Sequence, residues 1–250
     1  MIRIGKFGLV NNFLPYYFLK GNFEVVESSP KVMALKLLSG EIDYAPVPAY
    51  FYLSNKDKLK SHRFCIASDG EVLSVILVSK NGELGDKIAI TSETVTSVNL
   101  LKIVLKEKNR EARLVMSDSY NADELLSIAD SALVIGDEAI KARMVYRVVM
   151  DLGEEWKDLT GLPMVFGISA SLNSRVEKAE VADRAIAEAV DEGIRRLDEV
   201  VKAASKQFNL PSEFLSRYFK ILTYRLGKKE KKGLEAFCEM CKAYNLIDSV

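Results

Sequence analysis

Histidine and cysteine are almost missing from these 250 residues, with one of the first and three of the second. Cys65, Cys238 and Cys241 do not make the disulfide framework of a small extracellular scaffold. Cys238 and Cys241 form a single CxxC in a helical pattern. With neither a second pair nor a histidine nearby, the four ligands of a structural zinc are not assembled, and no metal is expected. The lone histidine, His62, stands in the charged run Lys60-Ser61-His62-Arg63 and reads as a surface loop residue. Ser-His-Asp and Cys-His devices are therefore disfavoured. Neither a P-loop nor a GxGxxG is present, so no nucleotide cofactor is indicated. Lysine plus arginine equals aspartate plus glutamate at 35 each. That balance supplies no field to concentrate nucleic acid or an anionic membrane, and neither is expected as a partner. No apolar run reaches the roughly 18 residues that would span a bilayer. Met1–Lys6 opens as a strand without a basic, apolar and small-residue leader, and a cytoplasmic location is the expectation.

What is present is a large apolar fraction, 48%, distributed as alternating strand and helix patterns. Ile2–Phe7, Phe23–Glu27, Ile42–Val47, Phe64–Ser68 and Val72–Val78 read as strands, with helices at 12–19, Pro30–Leu38 and Ala49–Leu53 between them. A mainly parallel sheet covered by helices is expected from that order. Asn81-Gly82-Glu83-Leu84-Gly85-Asp86 breaks the pattern like a joint. A second series follows: a strand at Lys87–Ile90, a helix to about Lys106, a strand at Arg113–Met116, a helix near 122–128, and strands at Ser131–Ile135 and Tyr146–Met150. A short helix near Glu154–Leu159 and a strand at Met164–Ser169 complete it. From Val176 the chain is helical, with Ile186, Val190, Ile194, Leu197 and Val201 on one apolar stripe. The expectation is an α/β chain of two lobes around a ligand cleft. Residues 1–80 and 170–250 form lobe one, 87–165 form lobe two, and the chain crosses at 81–86 and 164–169.

Chemistry is most visible at Ile88-Ala89-Ile90-Thr91-Ser92-Glu93-Thr94-Val95-Thr96-Ser97-Val98. A strand stops, hydroxyls and a carboxylate follow, and a helix with Val98, Leu101, Val104 and Leu105 on one face begins. Thr94, Thr96 or Ser97 would cap it, and its first-turn N–H groups would face an anion. A single hydroxyl there is usually an ordinary cap; several together point to carboxylate or phosphate binding by Ser92, Thr94, Thr96 and Ser97. Asn12 follows the first strand in Asn12-Phe13-Leu14-Pro15, where its amide either closes a turn or orients a ligand. Ser74, inside the apolar run Leu73-Ser74-Val75-Ile76-Leu77, is a half-buried hydroxyl that needs a partner. Gly136 and Asp137 end the strand at 131–135, and Asp137 reads first as a helix cap.

Taken in order, several segments resemble the chorismate dehydratases of the futalosine route to menaquinone. They are Asn12-Phe13-Leu14-Pro15, Gly40-Glu41-Ile42-Asp43, Ser68-Asp69-Gly70 with Leu73-Ser74, the hydroxyl-rich run 91–98, and Ile135-Gly136-Asp137-Glu138-Ala139. The most distinctive is Asp151-Leu152-Gly153-Glu154-Glu155-Trp156-Lys157-Asp158-Leu159-Thr160-Gly161-Leu162-Pro163. The resemblance spans about Met1 to Ala170. It implies a periplasmic-binding-protein-like fold of type II, a cytoplasmic place, no cofactor, and the loss of water from chorismate to give 3-[(1-carboxyvinyl)oxy]benzoate. Asn12 and Ser74 would then be catalytic, with Ser92, Thr94, Thr96, Ser97, Gly136 and Asp137 binding substrate. The chain departs from the usual family pattern at Pro48, Phe51, Val95 and Ser169, which leaves a paralogue for another acidic ligand open. A cytoplasmic small-carboxylate-binding protein of the same fold is the rival class, since fold alone does not settle function.

Overall fold

The structure is a computed structural model that describes residues 1–92 and 95–247, so Thr94 lies outside the described residues. The strands, in chain order, are β1 (Ile2–Phe7), β2 (Phe23–Ser28), β3 (Ala45–Pro48), β4 (Leu59–Ser68), β5 (Val75–Ser79), β6 (Lys87–Thr91), β7 (Arg113–Ser117), β8 (Ser131–Ile135), β9 (Arg147–Asp151), β10 (Met164–Leu172) and β11 (Leu222–Arg225). Two compact units divide them. Unit one comprises Met1–Ala67 and Val165–Lys231, and unit two comprises Ser68–Met164 and Lys232–Val250.

Unit one carries a parallel β1–β2 pair and a four-stranded sheet in the order β11-β4-β10-β3. β1 comes close to the start of β3 through a parallel bridge from Ile4 to Tyr44. A Cβ on Gly5 would lie 2.2 Å from the Met33 sulfur and 2.6 Å from the Ala45 Cβ, so only glycine allows that approach. The helix Pro30–Leu38 starts at Ser29 with proline in its first turn and buries Met33, Ala34 and Leu37. Asp183, nearly inaccessible on the helix Val176–Arg195, accepts from the Tyr44 hydroxyl, the Arg63 guanidinium and the Arg63 and Phe64 backbone N–H groups. The stripe expected to run from Ile186 to Val201 is broken. The helix ends at Arg195, a second begins at Leu197, and Ile194 is 56% exposed. β11 gives no strand pattern in the sequence, since it lies between two helical stretches.

Unit two is a five-stranded sheet in the order β7-β6-β8-β5-β9. β6 runs parallel to β7 and β8, while β5 is antiparallel to both of its neighbours. The sheets are thus mixed rather than mainly parallel, because β5 enters unit two from a tight turn instead of a helical crossover. Its place beside β8 and β9 also shifts the division of the chain. The break falls at Ala67/Ser68 rather than at 81–86, and residues 68–80 belong with the second unit. So does the end of the C-terminal helix Lys228–Ala243. There the Trp156 ring meets Phe237 edge-on, and the Tyr244 hydroxyl lies 2.5 Å from a Glu107 carboxylate oxygen. A Cβ on Gly233 would sit 2.0 Å from the Pro163 carbonyl oxygen. The core beneath this sheet is Ile76, Val78, Ala89, Ala132, Val134, Leu125 and Leu126.

Candidate functional site

Because β5 alone is reversed, one end of the unit-two sheet collects the carboxyl ends of β6, β7, β8 and β9 and the amino end of β5. Carboxyl ends of strands are where α/β sheets receive ligands. Six of the seven unit-two residues singled out in the sequence meet at this end; the seventh, Thr94, is not described. Ser92 follows β6 and is half-buried. Thr96 and Ser97 are buried in the first turn of the helix Val95–Glu107. That helix begins at Val95, so both hydroxyls lie inside it and neither is its cap. Thirteen residues of aligned peptide dipoles place partial positive charge at this start. Gly136, at a left-handed φ of 61°, follows β8 and donates its N–H to the Ser74 carbonyl at 2.7 Å. Asp137 lies in the first turn of the helix Gly136–Val145. The N-cap of that helix is Ile135, without a side-chain bond, so capping is not Asp137's role. Ser74 precedes β5 rather than lying within it and is 2% exposed.

The segment leading into Ser74 is tightly held, and sequence reading missed what holds it. Asp151, at the end of β9, is buried. Its Oδ1 accepts from Val72 N–H at 2.9 Å, and its Oδ2 accepts from Leu73 N–H at 2.7 Å. The same Oδ1 accepts from Gly153 and Glu154 N–H, capping the helix Leu152–Thr160. Burial pushes this carboxyl above the usual range, partly offset by the four N–H donors. Arg143 donates to the Leu73 carbonyl at 3.0 Å. Asp before Leu-Gly-Glu announces a cap in the sequence. Partners 79 and 78 positions away announce nothing.

Asn12 belongs to unit one, as the last residue of a short 3-10 turn at Val10–Asn12. It has no accessible surface; its Oδ1 accepts from Phe7 N–H at 3.3 Å and its Nδ2 donates to Asn11 Oδ1 at 2.9 Å. His62 is not in a loop: it lies in β4, half-buried, with Nε2 2.8 Å from the Ser171 hydroxyl, and burial lowers its pKa. It lines a cavity of about 390 Å³ in unit one with Lys60, Arg63, Glu180, Asp183 and Arg184, which contains none of the predicted site residues. Of the departures from the family pattern, Ser169 donates to the Phe64 carbonyl at 2.7 Å, and Pro48 pairs with Gly167 at the end of β3. Phe51 and Val95 are half-buried. Among the described residues no group of three or more His, Cys, Asp or Glu is placed to hold a metal. All three cysteines are buried and unpaired by disulfides, with burial pushing the Cys241 thiol up to about 12. No helix of the described residues is long and apolar enough to cross a membrane.

Three likenesses place this arrangement. The chorismate dehydratase of Thermus thermophilus is 34% identical over 245 residues, covering 90% of this chain and 89% of that protein. A crystal structure of a protein from Archaeoglobus fulgidus superposes with a TM-score of 0.80 at 20% identity, covering 98% of both chains. A Candida albicans protein with the generic periplasmic-binding-protein fold superposes with a TM-score of 0.69 at 10% identity, covering 100% of this chain and 92% of that one. The fold is thus of the periplasmic-binding-protein kind, mixed α/β with a helical C-terminal segment. A family model for menaquinone biosynthesis matches residues 2–243, nearly the whole chain, and the protein belongs to that menaquinone-biosynthesis family.

Proposed function

We propose that this chain is a chorismate dehydratase, a cofactor-free hydro-lyase that converts chorismate to 3-[(1-carboxyvinyl)oxy]benzoate for menaquinone biosynthesis in the cytoplasm. The observation that carries the reading is the 34% identity to the Thermus thermophilus enzyme along nearly the full length of both chains. The hydroxyls and helix start gathered at one end of the unit-two sheet support it, because they suit a small polycarboxylate and offer no redox or nucleotide chemistry.

The reaction asks little of a side-chain base. The hydrogen beside the enolpyruvyl ether is vinylogously acidic through the ring diene and carboxylate. Its departure as a proton, with the neighbouring hydroxyl as hydroxide, releases water and leaves an aromatic ring. The protein's task is then to fix the reactive pose and to stabilise negative charge. In this reading Ser92, Thr96, Ser97, the backbone at Gly136 and the polar Asp137 bind the substrate, as does Thr94. Ser74 donates to the leaving hydroxyl or to a substrate carboxylate. The Asn12 amide orients the ring hydroxyl or the enolpyruvyl carboxylate. That carboxylate itself takes the proton, a role motivated by the single histidine and its engagement with Ser171.

Purified protein incubated with chorismate should yield the aromatic ether, seen by its ultraviolet spectrum and by a mass one water below the substrate. Chorismate recovered intact, with binding still detectable by calorimetry, would make this a small-carboxylate-binding protein of the same fold.

A further inference from the structure

The block Asp151–Gly161 gives the chain much of its family resemblance, and its first residue is a carboxylate engaged with the backbone just before β5. Leu73, immediately before Ser74, has φ of 64°. A γ-branched side chain is rarely left-handed, and such residues persist only where the surroundings over-determine them. Here they do. The Leu73 N–H is held by Asp151 Oδ2 at 2.7 Å, its carbonyl by Arg143 at 3.0 Å, and its side chain is buried. On either side, Val72 N–H is held by Asp151 Oδ1 at 2.9 Å and the Ser74 carbonyl by Gly136 N–H at 2.7 Å.

The helix Leu152–Thr160 fastens the preceding turn as well. A Cβ on Gly153 would lie 2.4 Å from the Gly70 carbonyl oxygen and 2.7 Å from Ser68 Oγ, so glycine is needed for the helix to reach this turn. Lys157 bonds Asp69 at 2.5 Å and the Gly161 carbonyl at 2.9 Å. A cap alone needs only the Gly153 and Glu154 contacts. The contacts to Val72 and Leu73 are additional, and both serve the backbone that delivers Ser74.

We propose that Asp151, assisted by Arg143, is a positioning residue: it holds Leu73 in its left-handed conformation and so aims the Ser74 hydroxyl at the reacting substrate. The proposal rests on the dehydratase reading and on the catalytic role of Ser74 within it.

Asp151→Asn tests it, because asparagine keeps one acceptor oxygen for the helix cap but turns an N–H₂ toward the Leu73 N–H. The expected result is a kcat at least tenfold lower with KM within about twofold, in a protein whose circular dichroism is unchanged. Added to Ser74→Ala, the substitution should lower kcat no further, since both act through one hydroxyl. Arg143→Gln serves as the second variant should Asp151→Asn fail to fold, with a several-fold loss of kcat and the same non-additivity. Amide exchange in either variant should speed up at Leu73. Unchanged kcat in a folded variant, or losses that multiply with Ser74→Ala, would overturn the proposal. An unmodified protein that leaves chorismate intact sinks the dehydratase reading and this catalytic role with it. Amide exchange at Leu73 then reports whether Asp151 still holds the segment.

Discussion

The two residues assigned to catalysis are held in opposite ways. Asn12 holds its own neighbourhood: its side chain closes the turn after β1 on Phe7 and Asn11, and no part of it reaches the surface. Ser74 is held by its neighbourhood, through a backbone pinned at Gly136 and a preceding residue clamped by Asp151 and Arg143. A side chain that supplies local hydrogen bonds is part of the scaffold whatever else it does. A side chain delivered by a strained, over-determined backbone is a candidate for function, since strain of that kind clusters at functional sites.

The largest effect should separate the pair. Ser74→Ala is expected to lower kcat about a hundredfold, since removing one preorganised donor costs on that order. Asn12→Ala should lower kcat too, but it also leaves the buried Phe7 N–H without its acceptor, costing about 1–3 kcal/mol of stability. For a chain of this size that is a fall in Tm of roughly 2–4 °C per kcal/mol. Calorimetry beside steady-state kinetics reads both numbers, and equal Tm losses in the two variants would erase the distinction.

Thr96→Val extends the comparison to the helix start. If the first turn of Val95–Glu107 receives a substrate carboxylate, removing this donor should weaken chorismate binding by about 1.5–3 kcal/mol, the worth of a hydrogen bond to a charged group. Isothermal titration would show it. An unchanged affinity assigns Thr96 to the scaffold.

The smallest effect concerns His62, a scaffold residue whose pKa burial lowers from 6.5. A base depressed in the folded state binds fewer protons there than when unfolded. Stability is therefore full above about 6.5 and declines as pH falls below it, toward the lowered folded value. His62→Gln should flatten that part of the stability–pH curve, followed by urea denaturation between pH 7.5 and 5. A slope that survives the substitution would have to come from the carboxylates instead.

Most of the element pattern was legible, because periodicity is a local property. Pro30–Leu38, Ala122–Ile128 and Ser131–Ile135 lie where their apolar spacing puts them. The hydroxyl-rich run after β6 and the glycine after β8 could be singled out because helix starts and strand ends announce themselves in nearby residues. The direction of β5, the attachment of the C-terminal helix to unit two and the break at Arg196 could not, since strand pairing and helix packing join residues far apart in sequence. His62 looked like a surface residue because its partner, Ser171, is 109 positions away.

The sequence by itself determined the family, most of the strand and helix inventory, and the chemical character of the candidate site: hydroxyls and a helix start, with scant histidine or thiol. Tertiary structure alone decided that Ser74, Ser92, Thr96, Ser97, Gly136 and Asp137 share one end of a sheet, and that Asp151 holds the strained residue beside Ser74. Residue chemistry is written one position at a time. A backbone clamp between positions 72–73 and 151 exists only after β5 and β9 have paired, and no local pattern encodes that pairing.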